Sequence, residues 1–209
     1  YDGAEGGKLS MVQVGHSPSE VNLLVSAIGS SAYGICFVGA STVLLIAFRS
    51  STNSPPRVEM VDLKAVLTLQ NSKTVASAKL KLKTVSVVKD IAGGDQDWNG
   101  NLIDPFAICS SPTSNEVYLT DYAGGSVYRL SLFNNKYDEY IAERIAKIDK
   151  PGGIVKVGDR LFITSNEKVV SIPLFKEENA IEVVVGSKQG SKLIGLSEFN
   201  GEVLVGDQQ

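Results

Sequence analysis

The sequence predicts an all-β protein built from repeated four-stranded antiparallel units, on three observations. Residues 104–132 hold three short strands and two turns: an apolar run at 106–110, a Pro/Ser/Asn turn at 111–115, a β-rich run at 116–121 that ends on Asp121, a Gly-Gly turn at 122–125 and an alternating run at 126–132. The alternating run recurs, because K-L-S-M-V-Q-V at 8–14, R-V-E-M-V-D-L at 57–63 and K-V-V-S-I-P-L at 168–174 follow the same pattern as S-V-Y-R-L-S-L. A small residue followed by a branched one marks each apolar run, as Gly34-Ile35, Ala107-Ile108, Gly153-Ile154 and Gly195-Leu196, at separations of 73, 46 and 42 residues. A period in the forties made of four short strands is that of a β-propeller blade.

With the strands of a unit named a to d, the chain opens on c and d of a split unit at 1–29. Full units follow at 34–93, 106–148 and 153–186, and 193–209 supplies a final a and b. The d strands fall at 20–29, 83–93, 140–148 and 180–186, each handing on to the next a strand through a Gly- or Pro-containing loop. Small-then-branched entry residues suit an innermost strand crowded by its neighbours. From c to the next a is 25 or 26 residues in three units but 49 between Val58 and Ala107, so a surplus hairpin lies between Leu63 and Thr84. Its lysines, Lys79, Lys81 and Lys83, alternate with leucines and give one basic face: the mark of an edge strand protected against stray pairing, or a docking surface for an acidic partner or nucleic-acid backbone. These pieces amount to about four blade equivalents. Either the two end halves join and close a four-bladed ring, or the chain is a slice of a larger, six-bladed propeller completed by further sequence or by a second chain, with self-association through an open edge as a corollary. The echo of 121–126, D-Y-A-G-G-S, in the opening Y-D-G-A-E-G-G-K favours the slice.

At 209 residues the chain is long enough for one domain that buries roughly 70% of its unfolded surface. Apolar residues at 43% and charged ones at 21% favour neither disorder nor a coiled coil. A net charge of -3 argues against nucleic acid as a main partner. Residues 21–48 carry no charge, but Gly29-Ser30-Ser31 and Gly39-Ala40-Ser41-Thr42 cut the stretch into strand lengths, so no membrane span is expected. Cys36 and Cys109 are too few for a disulfide framework and sit inside apolar runs, where free cysteine packs as a small core residue. Opening on Tyr1 without Met reads as a processed or trimmed product; the compartment stays open, with a secreted or cell-surface setting favoured.

Residues 91–130 carry a glycine pair at Gly93-Gly94, an Asn99-Gly100 turn, Pro105-Phe106-Ala107-Ile108, Val117-Tyr118-Leu119-Thr120-Asp121 and Val127-Tyr128-Arg129-Leu130. In that order they resemble the NHL-type repeat. Pro151-Gly152-Gly153-Ile154 and Leu161-Phe162-Ile163-Thr164 fit the next unit, where Ser165 replaces the terminal Asp; Phe48 stands in its place earlier and Asp207 restores it. The six-bladed lactonases and strictosidine-synthase-like proteins share this look. The resemblance implies a propeller used as a binding platform and, in some branches, as a metal-dependent hydrolase; fold alone does not choose between them.

One local pattern carries chemistry of its own. Asp95, Asp97 and Asn99 before Gly100 satisfy D-x-[DN]-x-[DN]-G, and with Asn101 and Asp104 they offer the oxygen ligands a calcium ion needs. Phe106 stands where a bidentate Glu belongs, so an ordinary turn-rich connection is the competing reading. Trp98, the only tryptophan, lies in that loop as a lid or as a ligand anchor. His16, the only histidine, falls in an outer c-to-d turn away from any triad, and 186–192 has the composition of a phosphate cradle without its spacing. Asp121 and Asp207, ending b strands, either face the central opening or pin their own turns; Tyr122 and Asn166 sit beside the same strand ends. The function expected is a non-catalytic scaffold that binds a protein or small molecule on the propeller face. The rivals are a calcium-dependent hydrolase of lactonase type and a nucleic-acid or acidic-partner binder using Lys79, Lys81 and Lys83.

Overall fold

In the computed structural model, the described residues are 9–12, 21–25, 32–49, 55–64, 82–90, 102–111, 113–175, 181–186 and 192–208. They form seventeen strands in five sheets. A pair, β1 (Leu9–Val12) and β2 (Val21–Val25), stands alone. The first four-stranded sheet runs β3 (Ala32–Phe37), β4 (Val43–Phe48), β5 (Arg57–Asp62) and β6 (Lys83–Thr84). The second contains β7 (Ser86–Asp90), β8 (Pro105–Ser110), β9 (Val117–Asp121), β10 (Ser126–Phe133) and β11 (Lys136–Lys147), in the order β7-β11-β10-β9-β8. The third runs β12 (Pro151–Val157), β13 (Arg160–Ser165), β14 (Lys168–Pro173), β15 (Glu182–Gly186), and β16 (Lys192–Phe199) pairs with β17 (Glu202–Gln208). The described residues are all-β, built on four-stranded antiparallel sheets, to the second of which β7 adds a fifth, parallel strand.

Tight turns set the registers. Two-residue loops at Asn134-Asn135, Gly158-Asp159, Asn166-Glu167 and Asn200-Gly201 join paired strands, and in each the first residue takes a positive φ of 51–58°. Asn and Gly tolerate that conformation at the least cost. Two of the second strands are covered on both faces: every residue of β4, V-L-L-I-A-F, and of β9 is buried. Val43, Leu45 and Ala47 pack with Val117, Leu119, Leu130 and Tyr140 into one core between the first two sheets. Tyr118, Val127, Leu161, Ile163 and Ile172 make another between the second and third.

The expected d strand at 83–93 is divided. Lys83 and Thr84 pair with β5, Val85 still donates to Val58 O at 2.9 Å, and from Ser86 the chain crosses to lie parallel to β11 of the next sheet. The physical reason is an available edge: β11 is twelve residues long and presents an unpaired outer side that Val87 reaches while packing against the neighbouring core. The uncharged stretch at 21–48 divides into β2, β3 and β4. Among the described residues no helix is long and apolar enough to cross a membrane.

The innermost strands β3, β8, β12 and β16 stand side by side in chain order. Their closeness has a cause in the sequence. A Cβ on Gly34 would lie 2.9 Å from Ile108 N, and one on Gly153 would lie 2.6 Å from Ile194 O. Threonine ties the same contacts from the second strands. Thr120 Oγ1 donates to Gly152 O at 2.7 Å and accepts from Ala107 N at 3.0 Å, and Thr164 Oγ1 donates to Ile194 O at 3.3 Å.

Cys36 and Cys109 are free and pack against the two cores from the adjoining strands β3 and β8. Burial pushes the Cys109 thiol up to about 12, and burial together with the nearby Cys109 raises that of Cys36. Both stay protonated at pH 8, where a thiol of that pKa is only about one part in 10⁴ thiolate. Native protein should therefore react with a disulfide reagent at less than about a hundredth of the rate seen in denaturant. Fast labelling of both thiols at pH 8 in the folded state would contradict this.

Candidate functional site

The four innermost strands begin alike. Pairing with the second strand slips between Ala32 and Gly34, between Pro105 and Ile108, between Pro151 and Ile154 and between Leu193 and Gly195. Such bulges free a residue from the ladder and re-aim its side chain. Tyr33, Phe106, Gly152 and Ile194 lie in these slips. At the same level the second strands end: Phe48, Asp121, Ser165 and Asp207 pair with Ala32, Pro105, Pro151 and Leu193.

Three repeat positions meet here around one cavity of about 290 Å³. The bulges contribute Tyr33, Phe106, Gly152 and Ile194. The residues just past the second strands contribute Arg49, Tyr122 and Asn166. Strand entrances contribute Lys150, Lys192 and Leu193. In the second sheet the entrance residue is Asp104, and it binds Arg49 with both carboxylate oxygens, Nε to Oδ1 and Nη2 to Oδ2. The guanidinium carbon lies 4.8 Å from the Tyr33 ring centroid, 5.4 Å from Phe106 and 5.9 Å from Tyr122, within reach of all three π faces. Phe106 stands 5.4 Å from Tyr33 and 5.7 Å from Tyr122, centroid to centroid. The hydrogen bond to Asp104 holds the Arg49 pKa above its ordinary value, so Arg49 is a permanently charged, fixed plate among three rings.

Residues beneath the cavity hold its lip. Asp121, buried, accepts from Ile103 N at 3.0 Å, Asp104 N at 2.7 Å and Gly124 N at 3.2 Å, and Tyr122 N donates to Asp104 O at 2.8 Å. Ser165 takes the same part in the next sheet: its Oγ donates to Asp149 O at 2.6 Å. Asn166 Nδ2 reaches Asp149 Oδ2 at 2.8 Å, and Leu193 N donates to Asn166 O at 3.2 Å.

Of the residues singled out in the sequence, Tyr122 and Asn166 line the cavity, Asp104 backs it through Arg49, and Asp121 lies under it with its carboxylate engaged by backbone N–H groups. Asp207 is in β17 opposite Leu193. Lys83 is elsewhere, on β6 and ion-paired with Asp138, whose pKa that contact lowers. Asp95, Asp97, Trp98, Asn99, Asn101, Lys79, Lys81 and His16 lie outside the described residues. Among the described residues no group of three or more His, Cys, Asp or Glu is placed to hold a metal ion. Sequence reasoning passed over Tyr33, Arg49, Phe106, Lys150 and Lys192. Setting the repeats in columns would have exposed them, since Arg49, Tyr122 and Asn166 share one column and Asp104, Lys150 and Lys192 another.

No protein-family model and no curated protein matches the sequence. Among solved structures that match is that of a candidate 6-phosphogluconolactonase from Bacteroides uniformis, at 13% identity and a TM-score of 0.52, over 99% of this chain and 66% of that one. The fold is similar to that of this structure. The chain spans 66% of that protein's length, and a likeness at this identity concerns architecture alone.

Proposed function

We propose that the chain is a segment of a β-propeller that acts as a non-catalytic binding module, its ligand a small molecule seated in the cavity between Arg49, Tyr33, Phe106 and Tyr122. The single observation behind this reading is that one cavity is assembled from repeat-equivalent positions of four adjacent inner strands, at the end where their bulges aim side chains outward. Its volume of about 290 Å³ suits a small metabolite. Concave, aromatic-lined and carrying a few fixed polar groups, it has the make-up of a ligand site. The calcium-dependent hydrolase asks for several acidic side chains free to converge on metal and substrate. Here both oxygens of Asp104 are taken by Arg49, and Asp121 is taken by backbone donors, which favours binding over catalysis. A polyanion surface on the lysine-rich insert is weakened by the pairing of Lys83 with Asp138.

Phenol serves as a neutral probe of the aromatic cradle. Chemical-shift titration should give a dissociation constant of about 1 mM, as expected for so few atoms, and Tyr33→Ala should weaken it at least about fivefold. δ-Gluconolactone should hydrolyse at the blank rate with and without calcium. Turnover above the blank would replace the binding module with an enzyme, and phenol shifts remote from Tyr33 and Tyr122 would remove the cavity from the account.

A further inference from the structure

The occupant's charge can be read from the way the cavity's cations are balanced, an argument that rests on the binding reading above. Three cationic side chains line the cavity, Arg49, Lys150 and Lys192, and among the described residues no carboxylate does. Arg49 is neutralised from behind by Asp104. Lys150 and Lys192 form no ion pair with any described residue. The nearest carboxylate in sequence, Asp149, accepts from the Asn166 amide. The chain as a whole carries -3, so two ammonium groups at one mouth with no counter-charge among the described residues run against its composition.

A second, independent observation concerns the backbone. Among the described residues five that are not glycine have a positive φ; four are Asn, and the fifth is Lys150 at 47°. It also precedes Pro151, where the helical regions of φ/ψ space are disfavoured. A lysine held there is strained, and strain of this kind gathers at sites where a side chain must be aimed. Its position is enforced: Ser165 Oγ and Asn166 Nδ2 fasten Asp149 immediately before it, and Asn166 O fastens Leu193 immediately after Lys192. The two ammonium stems are thus anchored by one hairpin, β13 to β14, although they come from different sheets.

We propose that the cavity takes a small molecule bearing at least two negative charges, as a phosphate monoester or paired carboxylates, held by Lys150 and Lys192 with its body against the aromatic cradle around Arg49. Lysine provides point charges on flexible stems, suited to a compact dianion, while the planar Arg49 stays committed to Asp104 and the rings. Recognition is by charge at the rim and by packing on the floor.

The test compares four probes of one shape: phenol, benzoate, phenyl phosphate and phthalate, titrated calorimetrically at low ionic strength. Phenyl phosphate should bind at least about tenfold tighter than phenol, with the advantage shrinking as salt is raised to about 0.5 M. Lys150→Gly with Lys192→Gln should remove that advantage, so that phenyl phosphate binds this variant no tighter than phenol binds it. The Lys150→Gly melting temperature should be unchanged or higher, because glycine accepts the positive φ; a role confined to structure would instead lower it. Phthalate matching phenyl phosphate assigns paired carboxylates, and phthalate binding like benzoate assigns phosphate; both support the dianion site. Phenyl phosphate binding no tighter than phenol, or equally well to the double variant, overturns it while leaving the binding module intact. Failure of phenol itself strikes the module first.

Discussion

Asp121→Ala is expected to lower the folding stability by about 3 kcal/mol, read as a shift in denaturation midpoint at constant slope. The carboxylate is 1% exposed and accepts three backbone N–H groups, those of Ile103, Asp104 and Gly124. Leaving a buried donor unsatisfied costs about 1–3 kcal/mol, and the Asp104 amide, on a buried residue, has the least access to substitute water. Ile103 is exposed and Gly124 half-buried, so water recovers part of the other two. Asp121→Asn keeps one acceptor and should lose about half as much. The Asp104 loop also positions the partner of Arg49, so Asp121→Ala should weaken phenol binding although Asp121 lines no part of the cavity. A loss under about 1 kcal/mol would mean that these donors find other acceptors.

Gly153→Ala is the second substitution of large effect. The added Cβ would lie 2.6 Å from Ile194 O, 2.9 Å from Leu196 N and 3.2 Å from Gly195 C, all backbone atoms that no rotamer change can move. Strands β12 and β16 must separate, at a cost of about 3 kcal/mol by analogy with overpacked cores. Gly195→Ala, across the same seam, meets nothing within 4 Å at an ordinary φ and should be neutral or stabilising by about 0.5 kcal/mol. Equal effects at the two positions would show that glycine is kept for chain flexibility and not for contact.

Much of the architecture was legible because it is local and repeated. Hairpins declare themselves in turn residues such as Asn134-Asn135 and Asn200-Gly201, and in alternating strands such as 126–132. The column of Phe48, Asp121, Ser165 and Asp207 read from sequence is a column in the registers as well, each residue facing the entrance of its inner strand. The crossing of Ser86–Asp90 to β11 was not legible, since S-V-V-K-D reads the same beside either sheet and only the free edge decides. The cavity was least visible. Its residues range from Tyr33 to Ile194, and strand stacking, which has no local signature, brings them together. Arg49 follows the apolar run 43–48, and its meaning depends on Asp104, 55 residues away.

The bulges separate two duties within each repeat. Backbone at the slips, with Gly34, Gly153, Thr120 and Thr164, locks one sheet to the next, while side chains at the slips and strand entrances, such as Tyr33, Lys150 and Lys192, face the cavity. Substitutions at 33, 150 or 192 therefore alter what the face presents without disturbing how the sheets stack. The same scaffold can drift from one ligand to another by changes at a few surface letters, so relatives of this chain should diverge fastest where they bind and slowest at the small residues that touch nothing but backbone.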